Sequence, residues 1–294
     1  MCPCSTLYWS ETMKPAPFAY QRAENLSDVF AIFAAHGDEV RLLAGGQSLI
    51  PIINMRLATP EVLLDINGIK ELEGVLVENG KLRIGALTRL RDLSNNPDII
   101  THVPLLAMAA PHIAHTAVRN RGPVGGSLCH ADPAAELPAC MIALDAKINI
   151  ASASSTRQVN ANDFVTGIFD TSLASNEILT SVDIPLPISN QQIGFDELAR
   201  RHGDYAMVGL AAKGVCADGN FSDLNLVYFS VADRPILAIK TMAAVTDNRD
   251  TVTALDEDLA NAIDDLHTSA ITKKHLAGIL LNRVLEQMRG GEPS

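Results

Sequence analysis

The residues with the clearest chemical purpose in this sequence lie around two adjacent glycines, Gly125 and Gly126. Two successive residues without a Cβ let a bulky ligand lie directly against the main chain. The following pair, Asp132 and Pro133, predicts an N-cap and a first helical residue, with a helix over residues 134–144. A turn of bare backbone that leads into a helix can direct several N–H groups at an anion. The segment therefore predicts a site for a negatively charged ligand.

A second glycine pair, Gly45 and Gly46, stands earlier in the chain in a similar setting. A short apolar strand over residues 41–44 is predicted before it, and a helix over residues 48–56 after it. Two such segments in one protein indicate a ligand with two phosphates. Neither segment matches a nucleotide-binding pattern of known mechanism, because the sequence contains no G-x-G-x-x-G and no G-x-x-x-x-G-K-[ST].

These two segments resemble the FAD-binding medium subunits of molybdenum hydroxylases, a family that includes carbon monoxide dehydrogenase, xanthine dehydrogenase and nicotine dehydrogenase. The resemblance is carried by Ala44-Gly-Gly-Gln-Ser48, by Val124-Gly-Gly-Ser127 and by Asp132-Pro-Ala-Ala-Glu136. It extends over nearly the whole chain, including the turn from Arg200 to Tyr205 and the helical tail. Each glycine segment alone is weakly specific, whereas both in this order and at this separation are strongly specific.

The resemblance implies that FAD lies between two parts of an N-terminal domain. The first glycine segment would wrap the pyrophosphate through backbone N–H groups, and a simple tight turn is the alternative. The second would lie against the flavin and its ribityl chain. The implied cofactor-binding residues of the two segments are Ala44, Gly45, Gly46, Gln47, Ser48 and Leu49, followed by Val124, Gly125, Gly126 and Ser127.

Four further residues are implied as cofactor contacts: Asp132, Glu136, Leu179 and Tyr205. Glu136 would accept hydrogen bonds from cofactor hydroxyls, with a capping or surface carboxylate as the alternative. Asp132 is equally explained as an N-cap, and Leu179 is equally explained by core packing. Tyr205 would stack on the isoalloxazine ring and limit access of solvent or oxygen, and a buried structural tyrosine is the alternative.

Two positions depart from the family pattern. Pro123 stands where many relatives have threonine, so a hydroxyl and an N–H donor are missing there. Asp196 lies in a region where many relatives carry lysine, so a cation that would tune the reduced flavin is missing or is supplied elsewhere.

Composition argues against several other classes of protein. The formal net charge of −11 disfavours a nucleic acid or an anionic membrane as partner, and no apolar run is long enough to span a membrane. The five cysteines, at positions 2, 4, 129, 140 and 216, form neither a disulfide framework nor an iron–sulfur ligand set. We therefore expect no metal site in this chain. The first residues lack the pattern of a signal peptide, which favours a cytoplasmic protein.

Periodicity and turn residues predict an α+β fold. Residues 1–12 are interpreted as an extension and residues 13–188 as the FAD-binding domain, with parts over about 13–68 and 69–188. The resemblance implies that this domain has the two-part fold of the vanillyl-alcohol-oxidase type. Residues 189–294 are predicted to form a C-terminal domain with a three-stranded antiparallel sheet and three closing helices, and the polar stretch 189–194 is the predicted boundary.

Several elements are predicted in more detail. A β-α-β-α-β unit covers residues 14–68, with Ser27 or Asp28 as the predicted cap of a first helix over residues 29–36. A hairpin turns at Asn79 and Gly80. Further strands are predicted over residues 147–151, 177–184, 207–217 and 224–231. Helices are expected over residues 88–93 and 104–115, with two structural histidines, His112 and His115, on the second. Of the three closing helices, the second is predicted to present one apolar face formed by Leu255, Leu259, Ile263 and Leu266.

The predicted function is therefore that of an FAD-carrying electron-transfer subunit of a molybdenum hydroxylase complex. Electrons would arrive from a small iron–sulfur subunit, substrate would be hydroxylated on a large subunit with the molybdenum cofactor, and an external acceptor would reoxidise FAD. The resemblance implies a heterotrimer that pairs into a dimer. No catalytic residue is expected, because electron transfer through FAD needs no side-chain acid or base. A stand-alone FAD-dependent reductase and a flavin-free assembly subunit remain the alternatives.

Overall fold

The computed structural model describes residues 14–290. The extension predicted over residues 1–12 lies outside this range. The chain divides into two compact units, the first ending at Glu71 and the second beginning at Leu72. Helices and strands are mixed along both units, which confirms the predicted α+β class.

The first unit is a three-stranded parallel sheet with two helices. Its elements are β1 (Ala19–Arg22), α1 (Leu26–His36), β2 (Val40–Leu43), α2 (Leu49–Asn54) and β3 (Val62–Asp65), and the strand order is β1-β3-β2. This topology confirms the predicted β-α-β-α-β unit. The central strand β3 is apolar and buried, because a parallel strand between two neighbours is covered on both faces.

Helix α1 begins three residues earlier than the apolar pattern indicated. Asn25 is its N-cap, and the Asn25 side chain accepts a hydrogen bond of 3.0 Å from the backbone N–H of Asp28. The predicted caps, Ser27 and Asp28, lie inside the helix. Since asparagine caps helices about as well as serine or aspartate, residue type alone did not distinguish them.

The second unit starts with a five-stranded antiparallel sheet in the order β4-β5-β10-β6-β7. Its strands are β4 (Val75–Glu78), β5 (Lys81–Gly85), β6 (Lys147–Ala151), β7 (Thr156–Asn160) and β10 (Ile178–Pro185); β8 (Val165–Gly167) and β9 (Asp170–Thr171) form a separate hairpin. Asn79 and Gly80 have φ angles of 49° and 73°, as a type I′ turn requires, and this confirms the hairpin.

Short helices connect these strands. They are α3 (Pro97–His102), α4 (Pro104–Ala109), α5 (Thr116–Arg119), α6 (Val124–His130), α7 (Glu136–Ala143) and α8 (Ala161–Phe164). The helix predicted over residues 88–93 is instead a 3₁₀ helix, Leu90–Ser94. The helix predicted over 104–115 ends at Ala109, close to Pro111, which has no N–H to donate to the preceding turn. His112 and His115 are therefore not helical.

A second antiparallel sheet follows, with the order β11-β12-β13-β14. Its strands are β11 (Gln191–Ala199), β12 (Ala206–Ala217), β13 (Asn220–Phe229) and β14 (Ile236–Leu237). The three predicted strands are present, and the two-residue β14 adds a fourth at the edge. Strand β11 begins at Gln191, so most of the polar stretch predicted as a boundary belongs to a strand.

Three helices close the described chain, as predicted: α9 (Ile239–Thr246), α10 (Thr251–Asp258) and α11 (Ala270–Met288). The prediction for the second was wrong beyond Asp258. Leu266 is 97% exposed and outside any helix. Near Leu266 the Asp265 side chain accepts hydrogen bonds from the N–H groups of His267 and Thr268, which favours a turn over a helix.

The second unit has a buried core that crosses residue 188. One cluster of buried side chains includes Ile184 of β10 together with Phe195, Ala211 and Phe229 of the second sheet. The other face of the second sheet packs on α11 through a separate apolar cluster. The two sheets of this unit are therefore joined by shared apolar packing.

Candidate functional site

The first glycine segment, residues 44–49, connects the end of β2 to the start of α2. Gly46 has a φ of 68°, a left-handed conformation that glycine adopts without strain. A Cβ at this position would also lie 3.1 Å from side-chain carbons of Leu43 and Ile50. The Ser48 side chain makes no capping hydrogen bond to α2. The chain therefore enters α2 through a bend that leaves the helix start uncapped.

The backbone of this segment presents a row of unused donors. Over residues 14–290, no hydrogen bond is recorded from the N–H groups of residues 45–49. The side chain of Asn67 holds this segment in place. Its Nδ2 donates to the carbonyl oxygen of Ala44 at 2.8 Å and to the carboxylate of Asp65 at 2.7 Å. Consecutive free N–H groups beside a left-handed glycine, at a helix start, can donate hydrogen bonds to an anion such as phosphate.

The second glycine pair is not a turn, contrary to the prediction. Gly125 and Gly126 lie in the first turn of α6. The N–H of Gly125 donates to the carbonyl oxygen of Ala86 at 2.8 Å, and a Cβ on Gly125 would lie 2.8 Å from the Ala86 Cβ. Gly125 is thus required for close packing of α6 against the segment after β5. Within the described chain, the partly exposed Gly126 has no recorded partner for its N–H.

Asp132 is not the N-cap of α7, which was a second error. Its side chain accepts a hydrogen bond of 2.9 Å from the N–H of Ala134, and its carbonyl oxygen accepts one of 3.0 Å from Ala135. Proline favours the second position of such a turn. The residues from Asp132 to Ala135 therefore form a turn, and α7 begins at Glu136 with Ala135 as its cap.

Glu136 is a buried acid, with 6% of its surface exposed. Burial, reinforced by the charge of Glu197, raises its pKa to about 8. Glu197, on β11, has a side chain that is 3% exposed, and one of its oxygens lies 3.2 Å from Nδ1 of His112. This hydrogen bond raises the pKa of His112. The pair of His112 and Glu197 could not be predicted from the sequence, since its members are far apart in the chain.

Tyr205 is exposed over 74% of its surface, which rules out the alternative of a buried structural tyrosine. It follows the turn that contains Gly203, whose φ is 84° and whose Cβ position lies 2.7 Å from Nδ1 of His115. Only glycine can bring the turn this close to His115. Partial burial of the phenol and the nearby carboxylate of Asp132 raise the pKa of Tyr205. The turn thus presents an exposed aromatic ring near Asp132.

Leu179 lies in β10 with 3% of its surface exposed, inside the apolar cluster of the second unit. The core-packing alternative therefore accounts for its side chain. His130, the last residue of α6, has its ring centroid 4.9 Å from that of Phe169, so it packs against an aromatic neighbour.

The residues present fit FAD, a cofactor with a pyrophosphate, several hydroxyls and a planar ring system. Taken by itself, the first unit has free amides suited to phosphate oxygens. Taken by itself, the second unit has Gly126, a buried carboxylate and an exposed aromatic ring, which suit the hydroxyls and the ring system. Across residues 14–290, no group of three or more metal-ligating side chains is close enough to hold an ion. No helix in the same range has both the length and the apolar character to cross a bilayer.

Comparison with known families agrees with this chemistry. Residues 16–187 match the family described as the FAD binding domain in molybdopterin dehydrogenase. Residues 193–288 match the CO dehydrogenase flavoprotein C-terminal domain. The fold and site therefore define a flavoprotein that serves as an oxidoreductase subunit, with FAD as its cofactor.

Individual relatives specify the family further. The chain is 39% identical to 6-hydroxypseudooxynicotine dehydrogenase complex subunit alpha of Paenarthrobacter nicotinovorans, over 68% of each protein. It is 36% identical to the glyceraldehyde dehydrogenase medium chain of Sulfolobus acidocaldarius, over 88% of this chain and 90% of the relative. Carbon monoxide dehydrogenase from Hydrogenophaga pseudoflava has a similar structure, with a TM-score of 0.88 and 33% identity over 95% of this chain and 99% of that one. The chain belongs to the FAD-binding medium subunits of molybdenum hydroxylases.

Proposed function

We propose that this chain holds FAD between an iron–sulfur subunit and an external electron acceptor, while a molybdenum subunit hydroxylates the substrate. The observation that carries the proposal is the run of free backbone N–H groups at residues 45–49, in a chain of this family. FAD supplies the redox chemistry when bound, because it can take up electrons singly or in pairs. The chain's own residues bind it and control what reaches it.

The first glycine segment is the proposed pyrophosphate site. The residues concerned are Ala44, Gly45, Gly46, Gln47, Ser48 and Leu49. Their N–H groups would donate to phosphate oxygens, and charge-assisted hydrogen bonds of this kind are about twice as strong as neutral ones. Asn67 is added to the proposal as a positioning residue, because its side chain donates to the carbonyl oxygen of Ala44 and so holds the segment that carries these amides.

The second glycine segment has two proposed roles, one in fixing helix α6 and one in contacting the cofactor. Val124 and Gly125 fix the start of α6 through hydrogen bonds from their N–H groups to the carbonyl oxygens of Thr88 and Ala86, of 2.9 and 2.8 Å. Gly126 and Ser127 are the residues proposed to lie against the ribityl and flavin end. Pro123 supports this arrangement as the N-cap of α6, since it accepts a hydrogen bond from Ser127.

The remaining residues are proposed to contact other parts of the cofactor. Glu136 would accept hydrogen bonds from hydroxyls, with Asp132 close by on the preceding turn. Tyr205 would cover the isoalloxazine ring and restrict access of water and oxygen to it. Leu179 is proposed to contact the adenine side of FAD through the backbone of β10, since its side chain is buried in the core.

The proposed partners are a small iron–sulfur subunit and a large molybdenum-cofactor subunit, in a heterotrimer that pairs into a dimer in the cytoplasm. The names of the relatives support an assembly, because they describe a complex subunit or a medium chain. The proposed domain division is the one read from the sequence, with a boundary near residue 188 and an FAD-binding domain in two parts.

Isolation of the native complex, with identification of its subunits and cofactors, is the experiment that tests this function. We expect a yellow complex with one FAD per copy of this chain, and molybdenum and iron in the other subunits. A colourless chain that takes up no FAD would favour the assembly-subunit alternative. A yellow chain without partners that is reduced rapidly by a pyridine nucleotide would favour the reductase alternative.

A further inference from the structure

Glu136 occupies a position that is unfavourable for a charged carboxylate. It is 6% exposed, and within the described residues no salt bridge or hydrogen bond from another side chain to its carboxylate is recorded. Its own backbone N–H is the hydrogen-bond donor that favours ionisation. Because burying an unpaired charge is costly, a carboxyl in this setting favours the neutral acid.

The neighbours of Glu136 add to this effect. The carboxylates of Glu197 and Asp132 both disfavour a further negative charge, and the imidazole of His112 opposes them. His112 is already engaged, since its Nδ1 lies 3.2 Å from Glu197. The second oxygen of Glu197 is buried and has no partner within the described chain.

Among residues 14–290, the only cationic neighbour recorded for the Glu136 carboxyl is His112. Asp196 of β11 adds another negative charge near His112, and Cys140 of α7 is a buried thiol whose pKa is raised by burial and by Glu136. His202 contacts the His112 ring edge-on at 5.7 Å. Tyr205 lies towards Asp132. The imidazole of His112 therefore faces two buried carboxyl groups, Glu136 and Glu197.

We propose that Glu136 is a neutral acid in the FAD-free chain and releases its proton when the hydroxyls of FAD donate hydrogen bonds to it. This rests on the proposed function, in which Glu136 accepts those bonds. The O–H bond of the carboxyl breaks, the proton passes to solvent, and the carboxylate accepts the hydroxyl hydrogens. No electron is transferred. His112 and Glu197 are positioning residues that determine how strongly the proton is held.

The sign of the pH dependence follows from the raised pKa. Below about pH 8 the free chain carries the proton, so binding must displace it; above that value the carboxylate is already present. The affinity for FAD should therefore fall about tenfold for each pH unit below that value and be constant above it. FAD itself keeps its charge over this range.

The test is calorimetric titration of the FAD-depleted chain with FAD, in buffers of different ionisation enthalpy. At about pH 6.5 we expect close to one proton released per FAD bound, and at about pH 9 close to none. Glu136→Gln should bind FAD with no proton release and no pH dependence. Glu286→Gln, at an exposed position in α11, is the matched control and should behave like the unmodified chain.

Two further variants should shift the pH at which proton release begins, in opposite directions. Glu197→Gln removes a neighbouring negative charge and should move the onset of proton release to lower pH, whereas His112→Gln removes the cation and should move it to higher pH. FAD binding at pH 6.5 without proton release, or release that persists in Glu136→Gln, would overturn this proposal alone. A chain that binds no FAD at any pH would overturn the proposed function and this proposal together.

Discussion

The two glycine pairs, one in each compact unit, use the same residues for different purposes. At Gly45 and Gly46 the backbone bends through a left-handed residue and leaves consecutive N–H groups free. At Gly125 the N–H donates to the carbonyl oxygen of Ala86, and the missing side chain makes room for Ala86 itself, which directly follows β5. A glycine pair near a helix start therefore indicates close approach of something, which can be a ligand or the protein's own backbone.

This difference predicts that Gly125→Val has the largest effect on the fold. A Cβ there would lie 2.8 to 3.1 Å from three atoms of Ala86, two of them backbone atoms. We expect the free energy of unfolding to fall by about 1–3 kcal/mol or more, measured by urea denaturation. Gly167→Val is the matched control, since its Cβ would meet no atom within 4 Å. Equal stability of the two variants would contradict the packing role of Gly125.

Gly46→Ala should act mainly on the cofactor. The left-handed backbone costs a residue with a side chain about 1–2 kcal/mol, and relaxation of that strain would turn the free amides away from a phosphate. We expect the affinity for FAD to fall by about tenfold or more, measured by fluorescence titration. The result that counts against the pyrophosphate assignment is normal affinity in a variant with lowered stability.

Asn67→Ala tests the side chain that holds the first glycine segment in place. The change removes hydrogen bonds to the carbonyl oxygen of Ala44 and to Asp65, which stabilise the segment by about 1 kcal/mol. FAD affinity should fall severalfold. Asn282→Ala, on the exposed face of α11, is the control and should leave affinity unchanged. If both variants bind FAD equally well, Asn67 is not a positioning residue.

Tyr205→Ala should have the smallest effect on stability, within about 0.5 kcal/mol, because the side chain is 74% exposed. Its effect should appear instead in the flavin: loss of a stacked phenol should increase the fluorescence of bound FAD and speed its reaction with oxygen. Leu266→Ala, at another exposed residue of this unit, should change neither. Unaltered flavin fluorescence in Tyr205→Ala would show that the ring does not stack there.

Strands were the part of the fold that the sequence predicted well. Apolar alternation bounded by glycine, proline and Asn79-Gly80 is local information, and the structure has β5, β6, β12 and β13 close to the expected places. The predicted ends of helices were less accurate where the same residues could also form a turn. The side chains of Asp132 and Asp265 both accept backbone hydrogen bonds of a kind that also occurs at helix caps, so residue type alone could not distinguish a turn from a helix start.

The candidate site was predictable only in its local parts. The free amides of residues 45–49 follow from one short segment, and the sequence located them. The pairing of His112 with Glu197 depends on packing between distant segments, and nothing in either segment indicates it. The same holds for the packing of Gly125, because its contact partner, Ala86, belongs to a distant segment of the sequence.

The core that crosses residue 188 has a consequence for recombination between relatives. Phe195, Ala211 and Phe229 belong to the same buried apolar cluster as Ile184, so a C-terminal segment taken from another medium subunit would bring side chains of different volume into this interior. A chimaera joined at that residue should fold only if the facing positions are exchanged with it. Medium subunits are thus expected to diversify by coordinated change on both sides of the junction.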